Sequence, residues 1–335
     1  MRVKPLPFPR SLPRSYQCFE DEVRYDPDLH LSPEWPERIW TLEEFGYRPQ
    51  EISQCPSNVA VTSPFRLFSS EGIDAVYRVV NRLKAVKSSI RGFRIPSHLA
   101  GGVYRSRFLR DLCACPVILE HLSAISGTRL APHSLPSQQL YVNYSPDDIT
   151  KAVDSWHYDG IGFDYVVMVT DPVKLKGGNF EYFQGTKHEV AEMFDMEVHE
   201  IRDGISDELD ESRVIRTRFP RAGYAIFQQG NMVVHRAARL LEPGDRITVV
   251  PGQVAEDISY PDPTAIHDIV RYGEPGIKAE LARHGAWLAQ GKLQHLIQHQ
   301  DMSDGDAEIL EQLKRAVAEV NAVIEQLEQS DPPTS

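Results

Sequence analysis

Apolar and polar positions change their spacing along the chain, and the change predicts three regions. Residues 1–65 are rich in proline and show little periodicity, so we expect an irregular segment that wraps a larger core. Apolar residues at helical spacing then predict an amphipathic helix over 71–87, whose shared face carries Ile73, Val76, Tyr77, Val80 and Leu83. A second helix is predicted at about 106–125; Pro116 interrupts or restarts it, and Gly127 ends it.

The middle of the chain instead predicts β-structure. Short apolar runs stand between turn signals at 139–144, 165–170, 179–183, 224–227, 232–235 and 246–250. Several short strands at this spacing are typical of a β-sandwich or barrel. A charged insertion at 186–220 interrupts the series, and we expect it to form a helix or an excursion that returns to the sheet.

The last part of the chain returns to helical spacing, with helices predicted at 277–299 and 306–329. The second helix carries apolar residues at intervals of 3, 4, 3, 4 and 3, namely Leu310, Leu313, Val317, Val320, Ile324 and Leu327. This heptad spacing fits either an antiparallel hairpin folded on the core or a homodimer contact. The predicted regions are therefore 1–65, a core at 66–262 with its leading helices, and C-terminal helices at 263–335.

Composition narrows the class of protein. The 335 residues carry a formal net charge of -12, which opposes binding to nucleic acid and to anionic membranes. No apolar run approaches the roughly 20 residues of a membrane helix, and the proline-broken N-terminus lacks the apolar region of a signal peptide. The 4 cysteines are too few for a disulfide scaffold. We expect a cytoplasmic protein.

A metal-binding pattern spans the β-rich region. His157 and Asp159 are two residues apart, so on a strand they would point to the same side, and His235 ends a later apolar run. Two imidazoles and one carboxylate form the ligand set that iron(II) uses in many oxygenases. Ten residues separate His235 from Arg246. If the two strands pair with His235 opposite Val250, then His235, Arg246 and Thr248 share a face.

An arginine near such a metal suits a dicarboxylate co-substrate. A guanidinium pairs bidentately with a carboxylate, and 2-oxoglutarate has a free distal carboxylate when its keto-acid end chelates a metal. The Thr248 hydroxyl would contact the same carboxylate.

This pattern, His157-x-Asp159, His235 and Arg246-x-Thr248, resembles the Fe(II)/2-oxoglutarate-dependent dioxygenase superfamily. The segments 139–144, 177–186 and 227–235 resemble its phytanoyl-CoA hydroxylase-like branch, and the likeness covers about residues 100–251. The resemblance implies a mainly β fold with flanking helices, built on a double-stranded β-helix (a cupin-like jelly roll).

The resemblance also implies the chemistry and its cofactors. It implies an oxidoreductase that uses Fe(II) and O2 and decarboxylates 2-oxoglutarate to succinate and CO2, with ascorbate as a reductant in vitro. The strand before His-x-Asp anchors the co-substrate in such enzymes, which indicates Asn143 and Tyr141, with Gln139 beside them. Thr248 stands where the family often has serine and keeps the hydroxyl. The presence of the Asp159 carboxylate argues against a halogenase.

The substrate is the open part of this hypothesis. Trp156, Tyr158 and Phe183 are candidates for the substrate pocket. We expect hydroxylation of a small molecule, such as an amino acid or a secondary-metabolite intermediate. The alternatives are hydroxylation of a protein side chain, the same iron chemistry leading to desaturation, epoxidation or ring closure, and a catalytically silent jelly-roll binding module.

Overall fold

The computed structural model describes residues 1–14, 16–88 and 94–330. The strands within these residues are Ile39–Thr41 (β1), Val59–Thr62 (β2), Phe65–Arg66 (β3), His98–Leu99 (β4), Leu130–Pro132 (β5), Tyr141–Tyr144 (β6), Asp154–His157 (β7), Phe163–Met168 (β8), Phe180–Phe183 (β9), Val214–Thr217 (β10), Tyr224–Gln228 (β11), His235–Ala237 (β12), Ile247–Val250 (β13) and Gly252–Ala255 (β14).

These strands form two antiparallel sheets. The larger sheet has the order β1-β2-β11-β8-β13-β6-β4, with β3 beside β11 and with β14 pairing both β5 and β8. The smaller sheet has the order β10-β9-β12-β7. The eight strands from β6 to β13 thus contribute four neighbours to each sheet, β6-β13-β8-β11 and β7-β12-β9-β10.

The inner faces of the two sheets meet in a common apolar layer. Val166 and Ile226 of the larger sheet belong to the same buried cluster as Phe180 and Tyr182 of the smaller sheet. Burial of this apolar area is the main force that holds the sheets together. Polar side chains replace the apolar ones at one end of the layer, where the candidate site lies.

Helices cover the outer face of the larger sheet and extend the chain at its C-terminus. The α-helices are Pro27–His30 (α1), Pro49–Ile52 (α2), Ser70–Leu83 (α3), Gly102–Arg105 (α4), Arg107–Cys113 (α5), Pro116–Ser126 (α6), Lys187–Met193 (α7), Ile266–Arg271 (α8), Ile277–His299 (α9) and Asp306–Ser330 (α10). Short 3-10 helices are Glu43–Phe45, Lys84–Val86, Pro136–Gln138, Pro172–Lys174, Val198–Asp203 and Glu211–Arg213.

The helix boundaries follow the sequence signals. The Ser69 side chain accepts a hydrogen bond from the Gly72 N–H and caps α3. Pro116 begins α6, and Gly127 ends it with a φ of 70°, a left-handed conformation that favours glycine. Apolar residues of α3, α5 and α6 join one buried cluster with outward-facing side chains of β6, β8, β11 and β13. The helices predicted on either side of Pro116 are therefore confirmed.

The C-terminal helices α9 and α10 pack against each other as an antiparallel hairpin. Ala316 and Val323 of α10 are buried, and Val323 shares a cluster with Leu281 of α9. The antiparallel hairpin is present, but the buried residues Ala316 and Val323 lie outside the heptad seam, of which Leu327 packs against the same cluster. Residues 331–335 of the predicted C-terminal region lie outside the described residues.

Several strands lie outside the runs that the sequence pattern predicts, among them β1, β2 and β10. Within residues 1–65, expected to be irregular, β1 and β2 join the larger sheet, and all four residues of β2 are buried. The insertion at 186–220 forms α7 but then supplies β10, which pairs along its whole length with β9. With three or four residues each, these strands are too short for alternation to reveal them. Their strand conformation depends on the neighbouring strand.

The pairing predicted between the strands at His235 and Arg246 is wrong. β12 pairs with β7 and β9 in the smaller sheet, whereas β13 pairs with β6 and β8 in the larger sheet. The chain crosses from one sheet to the other between these two strands. No described helix combines the length and the apolar composition needed to cross a membrane.

Candidate metal and co-substrate site

His157, Asp159 and His235 come together at one end of the space between the sheets. His157 and His235 are cross-strand partners on β7 and β12, and their ring centroids are 4.2 Å apart. Asp159 follows the end of β7, with Oδ1 3.3 Å from His157 Nε2 and Oδ2 3.5 Å from His235 Nε2. One ligand atom from each residue lies within 4.8 Å of the others, which is compact enough for a single metal ion.

Backbone carbonyls fix the orientation of both imidazoles. His157 Nδ1 donates to the Ser155 carbonyl at 2.7 Å, and His235 Nδ1 donates to the Val233 carbonyl at 3.0 Å. A carbonyl only accepts, so each Nδ1 carries the proton and each Nε2 keeps its lone pair. This is the tautomer that a metal ligand needs, and the outer hydrogen bond holds the ring in place.

Electrostatics favours the protonation states of a metal site. Burial, the Arg94 cation and the neighbouring His235 lower the pKa of His157 to about 3. Burial also lowers the pKa of His235. Burial by itself would raise the pKa of Asp159, but His235, His157 and Arg94 outweigh it and hold that pKa well below its usual range. At neutral pH the site therefore offers two neutral imidazoles and one carboxylate.

The Asp159 carboxylate is held by close contacts that leave no room for larger side chains. The Asp159 backbone N–H donates to the Gly230 carbonyl at 2.8 Å. A Cβ on Gly230 would collide with carboxylate oxygens of both Asp159 and Asp164. The buried Gln228 amide nitrogen lies 3.0 Å from Asp164 Oδ1 and 3.1 Å from His235 Nε2. Gly230 is therefore the residue that allows the carboxylate to approach the imidazoles.

Arg94 supports the triad from the other side. Its Nη1 donates to Asp154 Oδ1 at 2.7 Å, and its Nη2 lies 3.7 Å from Asp159 Oδ1. Burial raises the pKa of Asp154 to about 7, against the opposing effect of Arg94. A buried carboxylate beside a guanidinium keeps its charge only through that pairing, so Asp154 and Arg94 depend on each other.

Arg246 enters the same cavity from the opposite sheet. Its side chain is fully buried; Nε donates to the Gly178 carbonyl at 2.8 Å, and Nη1 lies 3.5 Å from Thr248 Oγ1. Nη2 has no hydrogen-bond partner among the described residues. Burial lowers the pKa of Arg246 to about 10, which still leaves it cationic at neutral pH. A buried guanidinium with an unpaired end is costly unless an anion completes it.

Gly178 makes room for this arginine. Its φ of +68° is a left-handed conformation, and a Cβ there would lie 2.8 Å from Arg246 Cδ. Position 178 therefore requires glycine for two reasons: its backbone is left-handed, and the Arg246 side chain passes close to its Cα.

Thr248 and Asn143 are directly opposite each other on β13 and β6, and both line the cavity. The Asn143 Oδ1 atom is buried and has no hydrogen-bond partner among the described residues. Tyr141, two residues earlier on β6, also lines the cavity, and its hydroxyl accepts from Gln138 Nε2 at 3.1 Å. Arg246, Thr248 and Asn143 therefore share one face of the larger sheet.

Gln139 does not join them. Its side-chain nitrogen donates to the His133 carbonyl at 2.7 Å, away from the cavity, while Gln138 takes the place beside Tyr141. The physical reason is that β6 begins only at Tyr141, after a 3-10 turn, so the alternation of the strand does not extend back to Gln139.

The candidate substrate residues divide between the cavity and the core. Tyr158 lines the cavity, which is partly open to solvent. Trp156 and Phe183 do not: both are fully buried in a separate cluster on the outer side of the smaller sheet. Phe180 is the aromatic residue of β9 that reaches the cavity, with its ring centroid 5.5 Å from that of His235.

Charged side chains close over the mouth of the cavity. Arg202 Nη1 donates to the Tyr158 hydroxyl at 2.7 Å, and Arg202 pairs with Asp268 of α8. Arg271 pairs with both Asp203 and Asp268. The insertion after β9 and the segment after the last strand therefore meet at the rim.

The sequence pattern missed Arg94, Asp154, Asp164, Gln228 and Gly230. Arg94 and Asp164 carry no local signal, because only the folded chain brings them to Asp159. Gly230 has a weak one: it stands in the apolar segment that leads to His235, where glycine marks a close approach of backbone.

Comparison with known proteins adds little to this geometry. No family model matches the sequence, and no curated protein sequence matches it. Among solved structures, the non-haem α-ketoglutarate-dependent epimerase SnoN from nogalamycin biosynthesis is 17% identical, with a TM-score of 0.42 over 56% of this chain and 74% of that chain. HygX from Streptomyces hygroscopicus, solved with nickel and 2-oxoglutarate bound, is 16% identical, with a TM-score of 0.39 over 62% and 86%. These likenesses are distant, so the function is inferred from the site itself.

Proposed function

We propose that the chain is a non-haem Fe(II), 2-oxoglutarate-dependent dioxygenase, an oxidoreductase that oxidises a small-molecule substrate in the cytoplasm. Its metal ligands are His157, Asp159 and His235. Arg246 and Thr248 bind the distal carboxylate of 2-oxoglutarate, and Asn143 and Tyr141 contact the co-substrate from β6.

One observation carries this proposal. A compact His-Asp-His group and a fully buried, incompletely paired arginine line the same cavity from opposite sheets. A metal alone would explain the three ligands but not Arg246, whereas a metal-chelating dicarboxylate explains both. The buried Asn143 Oδ1 supports the same interpretation, since it is an unpaired polar atom beside Thr248.

The strand order agrees with the proposed class. The four-plus-four arrangement of β6 to β13 supports the double-stranded β-helix of the proposed Fe(II)/2-oxoglutarate superfamily. The proposal of its phytanoyl-CoA hydroxylase-like branch rests on the sequence likeness of segments 139–144, 177–186 and 227–235. A metal at one end of such a barrel lies between the two sheets, where ligands from one sheet can face an anion-binding group from the other.

The residues fit the metal and the co-substrate in charge as well as in position. When bound, Fe(II) and 2-oxoglutarate would supply the oxidation of a substrate C–H bond by O2, coupled to decarboxylation of 2-oxoglutarate to succinate and CO2. The chain's own residues hold the imidazoles neutral, keep Asp159 ionised and neutralise the distal carboxylate with Arg246. Apolar Val166, Phe180 and Val250 line the same cavity and limit access of water.

The cavity favours a compact substrate. It lies within the barrel and its rim is formed by Tyr158, Arg202 and Asp268. A small molecule such as an amino acid or a secondary-metabolite intermediate can enter such a space. Hydroxylation is the simplest outcome.

The test is anaerobic binding followed by turnover. Protein freed of metal is titrated with Fe(II) and then with 2-oxoglutarate, and the visible charge-transfer absorption of a 2-oxo acid chelated to Fe(II) is recorded. O2 and ascorbate are then admitted, and succinate is measured by NMR. We expect 2-oxoglutarate binding that requires the metal, and slow succinate formation even without the substrate.

His235→Ala serves as the negative control, and His188→Ala, at an exposed position, is its matched control. Metal binding without any 2-oxoglutarate binding would assign the site to another class of metalloprotein. Absence of metal binding in the wild-type chain would overturn the proposal as a whole.

A further inference from the structure

The buried side chain of Gln228 touches two of the proposed metal ligands. Gln228 ends β11, is fully buried and is not among the described residues that line the cavity. Its amide nitrogen lies 3.1 Å from His235 Nε2 and 3.4 Å from Asp159 Oδ2. The same nitrogen lies 3.0 Å and 3.3 Å from the two carboxyl oxygens of Asp164. Gln228 is therefore placed to orient the metal ligands and not to bind a substrate.

The sheet register sets Gln228 beside Asp164. The two residues are directly opposite each other on β11 and β8, and such partners project from the same side of a sheet. Both strands belong to the larger sheet, whereas His235 lies on β12 of the smaller sheet. The amide group thus reaches from one sheet to ligands that the other sheet holds.

The Gln228 amide nitrogen has more acceptors around it than it has hydrogens. A primary amide carries two N–H hydrogens. The surrounding acceptors are the carboxyl groups of Asp159 and Asp164 and the Nε2 atom of His235. His235 Nε2 is an acceptor because Nδ1 of the same ring donates to the Val233 carbonyl. Two hydrogens cannot serve all three side chains at once.

A bound metal would remove one of these acceptors. The His235 lone pair that faces the amide is the one that a metal ion takes. The two amide hydrogens then match the two remaining acceptors, Asp159 and Asp164. A hydrogen bond on Asp159 Oδ2 occupies that oxygen, while Oδ1, which lies 3.3 Å from His157 Nε2, is left for the metal.

We propose that Gln228 is a positioning residue, which limits Asp159 to one metal–oxygen bond by donating an N–H to its Oδ2 atom. The inference rests on the metal site of the proposed function but not on the substrate. Two imidazoles and one carboxylate oxygen leave positions open for 2-oxoglutarate and O2, and a second carboxylate oxygen would occupy one of them. Gln228 thereby keeps open a position that the reaction needs.

Infrared difference spectroscopy tests how many oxygens of Asp159 bind the metal. Protein labelled with carbon-13 at its aspartate carboxyl groups and freed of metal is compared with the same protein after addition of Zn(II). The separation of the two carboxylate stretching bands is larger when one oxygen binds the metal than when both do. We expect one-oxygen binding in the wild type. Gln228→Met, which has a similar shape but no N–H group, should show binding through both oxygens.

Co-substrate affinity provides a second measurement. On Ni(II)-loaded Gln228→Met, 2-oxoglutarate and pyruvate should each bind about tenfold more weakly than on the wild type, because both chelate the metal through the same 2-oxo acid end. Gln229→Met is the matched control. It changes the next glutamine, which is also buried but lines a different cavity together with Cys55, and it should behave as the wild type does.

Several results would overturn the proposal. They are binding through both oxygens in the wild type, one-oxygen binding that persists in Gln228→Met, loss of the metal from that variant, and equal weakening of both ligands by Gln229→Met. A wild type that binds no metal would overturn the proposed function together with this inference. Metal binding through both carboxylate oxygens of the wild type would overturn this inference alone.

Discussion

His157 and His235 face each other across two neighbouring antiparallel strands, with ring centroids 4.2 Å apart. Residues directly opposite in such a pair project from the same side of the sheet. Both rings donate Nδ1–H to a backbone carbonyl two residues earlier in the chain. The register of β7 with β12 thus positions two of the three proposed metal ligands as a unit.

Loss of either imidazole should therefore remove the metal while leaving the fold intact. We expect His235→Ala to bind Fe(II) or Co(II) at least about 100-fold more weakly, because the loss of a direct ligand exceeds the effect of altering its surroundings. Metal content after dialysis and a Co(II) absorption titration measure this. His188→Ala should bind as the wild type does; an equal loss in both variants would point to nonspecific metal binding.

Arg246 should govern the distal carboxylate of the co-substrate and nothing else. Arg246→Ala should keep the metal and weaken 2-oxoglutarate binding on the order of 100-fold, the cost of unpairing a buried charge. Pyruvate is the matched ligand, since it has the same 2-oxo acid end without the distal carboxylate. Calorimetry on Ni(II)-loaded protein should show that the variant no longer prefers 2-oxoglutarate to pyruvate. A preference that survives in the variant would contradict this role.

Gly230 should be required for the position of Asp159. An alanine there would push the Asp159 carboxylate away from the imidazoles, so metal affinity should fall about 10- to 100-fold. Gly305→Ala is the control, because nothing lies within 4 Å of a Cβ at that position. Circular dichroism checks that both variants fold. Unchanged metal affinity in Gly230→Ala would show that Asp159 tolerates the displacement.

His133 should make the folded state less stable in acid. Burial lowers its pKa from 6.5 to about 3, and its Nδ1 accepts from the Leu135 N–H, so it folds in the neutral form. Between about pH 6.5 and pH 3 the unfolded chain binds a proton that the folded chain does not, so the free energy of unfolding falls as pH falls. The contribution of His133 to this loss at pH 5 is about 2 kcal/mol.

Urea unfolding of His133→Asn measures that contribution. Asparagine can accept the Leu135 N–H but does not titrate, so the variant should lose about 2 kcal/mol less than the wild type between pH 7.5 and pH 5. Identical losses in both proteins would contradict the assignment. His188→Asn, at an exposed site, should behave as the wild type does.

Much of the fold was predictable because local signals determine local structure. The helix predicted at 277–299 coincides with α9, a long segment that contains no proline. Arg246 and Thr248 share a face because side chains alternate along a strand, whichever strand lies beside it. The same rule shows that Trp156 should point away from His157, its neighbour on β7, and the structure places it in the outer core.

Other features depended on which strands become neighbours. The sequence suggests that His235 and Arg246 lie on paired strands, yet they come from different sheets and meet across the cavity. Arg94 reaches Asp159 from 65 positions earlier in the chain, and no spacing rule connects them.

The sequence by itself therefore determined the ligand types, the arginine and threonine on one strand face, and the principal helices. Only the tertiary structure decided that the proposed metal ligands and Arg246 line one cavity, that Gly230 and Gly178 permit the close contacts, and which face of α10 stays exposed. The physical reason is that backbone conformation follows from neighbouring residues, whereas the meeting of distant side chains follows from the packing of whole sheets and helices.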